Sequence, residues 1–303
     1  MLCNMKSKML LFLVVSWGMI QGQNANRETP VYTSLQKALE AEEVLQLNLR
    51  EQHIFQLNDS LSQLKELIFL NLMKNHLEKL DSSLFELKEL EVLNLKDNKL
   101  SHIPQAINEL KGLIRLDMAS NDISEFPVAL TSLKKLKYLH FSENYLVNIS
   151  GKIDGCKSLE VLELQSNQLR FLPNTIGNLK KLKQLNLAYN QFREFQLAWT
   201  DLENLETLNL EFNKIQNIPE EIKNLKKLKV LILTNNELTE LPAKFVKLQN
   251  LELLILSNNN LSHLPKELKS LKKLKTLIIK DNNLSEEEMA RIKLELPNCQ
   301  IIF

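Results

Sequence analysis

The sequence predicts an α/β repeat solenoid, a horseshoe with an inner parallel β-sheet of about eleven strands, short 3₁₀ or extended outer segments and helical caps at both ends. Two observations predict it. Asparagine stands at Asn75, Asn98, Asn121, Asn144, Asn167, Asn190, Asn213, Asn236, Asn259 and Asn282, every interval being 23 residues, and Gln52 fills the slot one period earlier. Around each, apolar residues recur at fixed offsets, as Leu93, Leu95, Leu100, Ile103, Ile107, Leu110 and Leu113 do around Asn98. No single unit can bury that many apolar side chains, so each must be covered by its neighbours. A chain of 303 residues is therefore one structural domain, and its six glycines leave no room for flexible linkers or a glycine-rich phosphate loop.

Residues 1–22 have the layout of a secretory signal peptide: Lys6 and Lys8, an apolar run from Met9 to Ile20, then Gly22. That run is short for a bilayer span, so no membrane span is expected after cleavage, and the protein is expected to be secreted, periplasmic or on the outer surface. An uncleaved anchor is the alternative reading. Cys3 precedes the apolar run, which argues against a lipoprotein anchor. Loss of Lys6 and Lys8 brings the formal charge from +1 to −1, a balance that gives nucleic acid no reason to bind. Cys156 and Cys299 remain, six repeats apart; at about 4.8 Å per strand they lie too far from each other for a disulfide. Cys156 occupies a leucine slot and reads as a small core residue.

Residues 23–43 form an N-terminal cap, in which Thr33 or Ser34 starts a short helix with Leu35, Ala38 and Leu39 on one face. Repeats occupy residues 44–284. Leu93 and Leu95 alternate with polar residues, the period of a strand, while Ile107, Leu110 and Leu113 fall three apart, which suits a 3₁₀ turn. The asparagine amide, able to donate and accept, suits the place where the strand ends and backbone groups are buried without ladder partners. Proline follows the inner apolar residue at Pro104, Pro127, Pro173, Pro219, Pro242 and Pro265; Ser150 and Gln196 replace it, and the Gln196 unit also carries Trp199. Local bending or harmless drift are both open there. Residues 285–303 form a C-terminal cap: Ser285 and Glu288 make a capping box, Met289, Ile292 and Leu296 an apolar stripe, and Ile301 to Phe303 a terminal strand.

The unit LxxLxLxxNxLxxLPxxIxxLxx, nearly complete in LKVLILTNNELTELPAKFVKLQN, resembles the 23-residue leucine-rich repeat, and the chain is similar to small exported bacterial proteins of that class. The resemblance spans about residues 44–294 and implies a binding module, with no ligand specified.

Side chains between the two strand leucines face the inner side of the sheet. Four residues before the asparagine, that column reads Asn48, Asn71, Asn94, Asp117, His140, Glu163, Asn186, Asn209, Ile232, Ile255 and Ile278. Asp117, His140 and Glu163 on adjacent strands read as a solvated charge cluster or, distantly, as a metal-dependent site. Val230, Ile232, Leu253, Ile255 and Ile278 break the polar alternation and predict an apolar patch awaiting a protein partner or self-association. Tyr138, Tyr189 and Phe212 are candidate aromatic anchors near His140. Lysine triplets such as Lys180, Lys181 and Lys183 alternate with units bearing Glu160, Glu203, Glu206 and Glu252, which predicts a mixed solvated edge rather than an anion-binding rail.

No hydrolase elbow, zinc signature or nucleotide loop is present, so neither catalysis nor a cofactor is expected. The expected function is an exported protein–protein interaction module, with a host or cell-envelope protein as partner. A self-associating structural surface protein is the alternative.

Overall fold

A computed structural model describes Asn26 and residues 28–303; the signal-peptide reading lies outside the described residues. Twelve three-residue strands form one sheet in sequence order: β1 (Gln46–Asn48), β2 (Phe69–Asn71), β3 (Val92–Asn94), β4 (Arg115–Asp117), β5 (Tyr138–His140), β6 (Val161–Glu163), β7 (Gln184–Asn186), β8 (Thr207–Asn209), β9 (Val230–Ile232), β10 (Leu253–Ile255), β11 (Thr276–Ile278) and β12 (Gln300–Ile302). Eleven belong to the repeats, and the terminal strand makes the twelfth. All are parallel, and neighbouring repeats pair residue for residue with a shift of 23, as in Asn71 with Asn94.

The middle residue of each repeat strand is a fully or nearly fully buried leucine, and it packs with those of the outer segments into one continuous core. The outer segments are mostly 3₁₀ turns such as Gln105–Glu109 and Asn174–Asn178, which bury Ile107 and Ile176. The strands stack about 4.8 Å apart on one side of this core and the outer segments line the other. Cys156 is fully buried in its leucine slot, with its thiol pushed up to about 11 by that burial.

At the strand ends each asparagine side chain ties two repeats together. The Asn167 amide nitrogen donates to Phe141 O of the preceding repeat (2.9 Å) and to Leu164 O of its own (3.1 Å), while its oxygen accepts from Leu146 N (2.9 Å). The same three bonds recur from Asn75 to Asn282, and Asn75 also accepts from Gln52 N.

Proline at the start of the outer segment has a side-chain substitute in three other units. Asp81 accepts from Leu57 N (3.1 Å), Gln196 from Leu172 N (2.7 Å) and Glu288 from Leu264 N (2.8 Å). Gln196 also donates back to Leu172 O, and strand pairing runs through that unit without a break. Trp199 fills the core there, edge-on to Phe192 and Phe195.

Both ends carry helices. Ser34 caps α1 (Leu35–Leu39), which buries Ala38 and rests Leu35 and Leu39 on the core. A one-turn α2 (Ser82–Phe85) replaces the 3₁₀ turn of the Asn75 unit. Ser285 caps α3 (Glu286–Glu295), which buries Ile292 and is followed by buried Leu296. The predicted capping box is corrected here: Ser285 Oγ accepts from Glu288 N, but the Glu288 carboxylate does not turn back. It binds Arg291 and Leu264 N, fastening α3 to the last full repeat.

Candidate functional site: the inner face and its rim

The inner-face column has a local structural task that its spacing did not reveal. Asn48, Asn71, Asn94, Asn186 and Asn209 each accept, through the side-chain oxygen, the backbone N–H two residues on, as in Lys96 N to Asn94 (2.9 Å). Asp117 does the same for Ala119 N. These are Asx turns that bend the chain at the strand end.

Asp117, His140 and Glu163 do lie side by side on β4, β5 and β6, but the solvated cluster is corrected to a buried one: Asp117 and His140 are each 2% exposed. Buried Arg115, which the sequence reading passed over, completes it. His140 Nδ1 lies 2.8 Å from Glu163 Oε2, and His140 Nε2 lies 3.4 Å from Arg115 Nη1. Because a guanidinium only donates, Nε2 must accept, which assigns the proton to Nδ1 and makes it the donor to Glu163. Arg115 also sits over the Tyr138 ring, 4.2 Å from its centre. Burial is the largest influence on Glu163 and pushes its carboxyl up. The hydrogen bond from His140, helped by the positive charges of Arg115 and Lys96, outweighs it and holds the group below its ordinary value. Burial likewise pulls Arg115 down, opposed by Tyr138, Asp117 and Glu163. The distant metal reading is withdrawn: among the described residues no three His, Cys, Asp or Glu side chains are placed to hold a metal ion.

The apolar residues of β9 to β11 are brought together, yet not as an open patch. Val230, Ile232, Leu253 and Ile255 form a cluster separate from the main core, on the other face of the sheet, with exposures of 9%, 1%, 7% and 4%. Ile278 is half-buried against them. Each side chain is flanked by the same slot of the next strand, Ile232 by Ile255 and Ile255 by Ile278, and they pack into one cluster. The cluster covers itself, so the predicted uncovered docking patch is corrected to a small second core.

An exposed, stacked aromatic pair lies instead along the rim where the strands end. Tyr189 and Phe212 are 48% and 41% exposed and stack on each other, rings 4.4 Å apart and 16° from parallel. They occupy the slot directly before the ladder asparagine, where every repeat turns through a left-handed backbone: φ is 53° at Tyr189 and 51° at Phe212. Lys74, Asp97, Ser120, Asn235 and Asn258 fill that slot elsewhere. Left-handed φ suits Asn and Asp and costs a bulky residue about 1–3 kcal/mol, so two adjacent aromatics are held there against local preference. Burial, and then the charge of Glu211, push the Tyr189 hydroxyl up. Half-buried Tyr138 and buried His140 lie on β5, two strands from β7, so the predicted anchors divide into two groups.

On the opposite edge the lysines are paired across repeats. Glu160 lies 2.6 Å from Lys183 and 3.9 Å from Lys137, Glu206 lies 2.6 Å from Lys229, and Glu252 lies 2.5 Å from Lys275. These exposed pairs give a charge-balanced edge with a two-repeat period.

This architecture is that of a leucine-rich repeat protein. Residues 89–199 and 198–293 match the family described as leucine-rich repeat region, and the chain belongs to that family. No curated protein sequence matches it. Among solved structures it is similar to a leucine-rich repeat protein of Leptospira interrogans, at 28% identity over 91% of this chain and 100% of that one, TM-score 0.58. It is also similar to the leucine-rich repeat ectodomain of an Arabidopsis thaliana membrane receptor kinase in complex with CASPARIAN STRIP INTEGRITY FACTOR 2. That match has 29% identity over 79% of this chain and 32% of that one, TM-score 0.66. An internalin of Listeria monocytogenes shares the fold, at 23% identity over 88% of this chain and 82% of that one, TM-score 0.72.

Proposed function

We propose that this chain is an exported, non-catalytic recognition module that binds a partner protein along the inner face of the solenoid and its rim, with Tyr189 and Phe212 as the anchor. The observation that carries the reading is the stacked, exposed pair held at two consecutive left-handed positions. Strain kept where Asn or Asp would relieve it points to use of the side chains themselves. Large rigid aromatics supply contact area at little conformational cost, and such residues dominate binding energy. Their partner would present an aliphatic, aromatic or arginine side chain to the stack.

Neighbours of the same fold support the class of function, since the Arabidopsis ectodomain was solved in complex with CASPARIAN STRIP INTEGRITY FACTOR 2. Export rests on the layout of residues 1–22 and is compatible with a periplasmic or outer-surface location; among the described residues no helix is long and apolar enough to cross a membrane. A host or cell-envelope protein remains the proposed partner. Self-association through β9 to β11 loses its basis, because that cluster is already covered.

The test is capture from envelope and host extracts with the chain lacking residues 1–22, followed by a binding titration of the recovered partner. A Tyr189→Ala, Phe212→Ala double variant should bind at least about 30-fold more weakly, the loss of a hot spot worth about 2 kcal/mol. Equal affinity in a variant with an unchanged circular dichroism spectrum would overturn the proposal.

A further inference from the structure

At the N-terminal end of the array the same rim carries a different chemistry. His53 and His76 are the residues directly after the ladder slot in the first two repeats, 23 apart, so stacking places one above the other. Their rings are 26° from parallel with centres 5.4 Å apart, and the Phe55 ring lies 4.9 Å from that of His76. His53 Nδ1 lies 3.2 Å from His76 Nε2. The backbone at His53 is left-handed, φ 54°, and among the repeats only this one turns that way after the ladder slot.

Two nitrogens bound to one zinc-sized ion at about 2.05 Å, subtending 90–110°, stand about 2.9–3.4 Å apart. The observed separation falls inside that window. We infer that His53 and His76 form a two-point chelate for a late first-row divalent cation, of the copper, nickel or zinc class, at the open N-terminal rim. Imidazole pairs select such ions over magnesium or calcium. The proton now lying between the two nitrogens has somewhere to go. With Nδ1 of His53 and Nε2 of His76 both binding the ion, the protons reside on the other nitrogen of each ring, and neither ring need become charged.

The surroundings permit a cation without demanding one. The groove around the pair is lined by Glu51 and Asp97 as well as Lys74 and Lys99, two carboxylates against two ammonium groups. Hydrogen bonding to Lys74 and then Arg50 holds the Glu51 carboxyl below its ordinary value, so it stays ionised. Because no third His, Cys, Asp or Glu among the described residues converges on the point, water or a partner's side chain would complete the shell.

The experiment is a calorimetric titration of the chain lacking residues 1–22 with ZnCl2, NiCl2 and CuCl2 in a non-coordinating buffer at neutral pH. It is repeated on His76→Ala, on His53→Asn, whose new side chain suits the left-handed backbone, and on His102→Ala as a control at an exposed histidine. One saturable equivalent is expected, retained in His102→Ala and weakened at least about tenfold in both pair variants, since even supporting residues of a metal site are worth that much. No saturable binding by any of the three metals, or equal affinity in parent and both pair variants, would show that the pair is only a hydrogen bond.

Discussion

Replacing Asn167 by alanine tests whether the asparagine ladder holds the array together, and the bond pattern sets the size of the effect. Its two acceptors each keep another partner: Phe141 O still receives the Asn144 amide at 3.2 Å, and Leu164 O still receives the Asn190 amide at 2.9 Å. Leu146 N is different, because Asn167 Oδ1 is the acceptor the structure gives it. An orphaned buried N–H costs about 1–3 kcal/mol, and thinning two shared carbonyls adds a fraction of a bond each, so the total is about 2–4 kcal/mol. Urea unfolding followed by far-ultraviolet circular dichroism measures it. The midpoint should fall, and the slope should fall as well if the array splits at the weakened repeat. Parent-like unfolding of Asn167→Ala would refute the assignment of that N–H to the ladder.

Other outcomes follow from the same geometry. Tyr189→Asn and Phe212→Asn should each raise stability, by about 1 kcal/mol after the lost stacking is counted, while weakening partner binding; thermal melts and titrations read the two effects separately. Ile232→Asp should destabilise by several kcal/mol because it places an unpaired carboxylate in a closed apolar cluster, whereas Ile232→Asn should cost far less by gaining the Asx turn its neighbour Asn209 makes. Glu163, held below its ordinary carboxyl value of 4.5, contributes stability that is present above that pH and is lost as pH falls through the depressed folded value; Glu163→Gln should flatten this acid limb of a pH–stability profile.

What could be read from the chain, and what could not, follows from which neighbours each property depends on. The 23-residue spacing dictates register, and register dictates the parallel sheet, so Asn98, Leu93 and Ile107 could be placed without coordinates. A helix cap at Thr33 or Ser34, which proves to be Ser34, and Cys156 as a core residue are local properties and equally legible. Burial on the inner face is not local. Ile232 is covered by Ile255, which is in turn flanked by Ile278, and a single column read for polarity cannot show that three adjacent apolar slots close on one another. Arg115 escaped for a related reason. It stands two residues before Asp117, in the neighbouring inner-face column, and reading both columns together would have set Arg115 and Tyr138 beside His140. The strain at Tyr189 and Phe212 had a visible signal, two aromatics in a slot otherwise filled by Lys, Asp, Ser, Glu and Asn, but its meaning required the left-handed φ.

The central claim is that recognition is anchored on the Tyr189–Phe212 rim, and hydrogen exchange of the partner-bound chain tests it most directly. Protection is predicted in peptides covering residues 186–191 and 209–214, spreading onto adjacent inner-face strands. Protection confined to the outer 3₁₀ segments, or to β9 to β11, would contradict the claim.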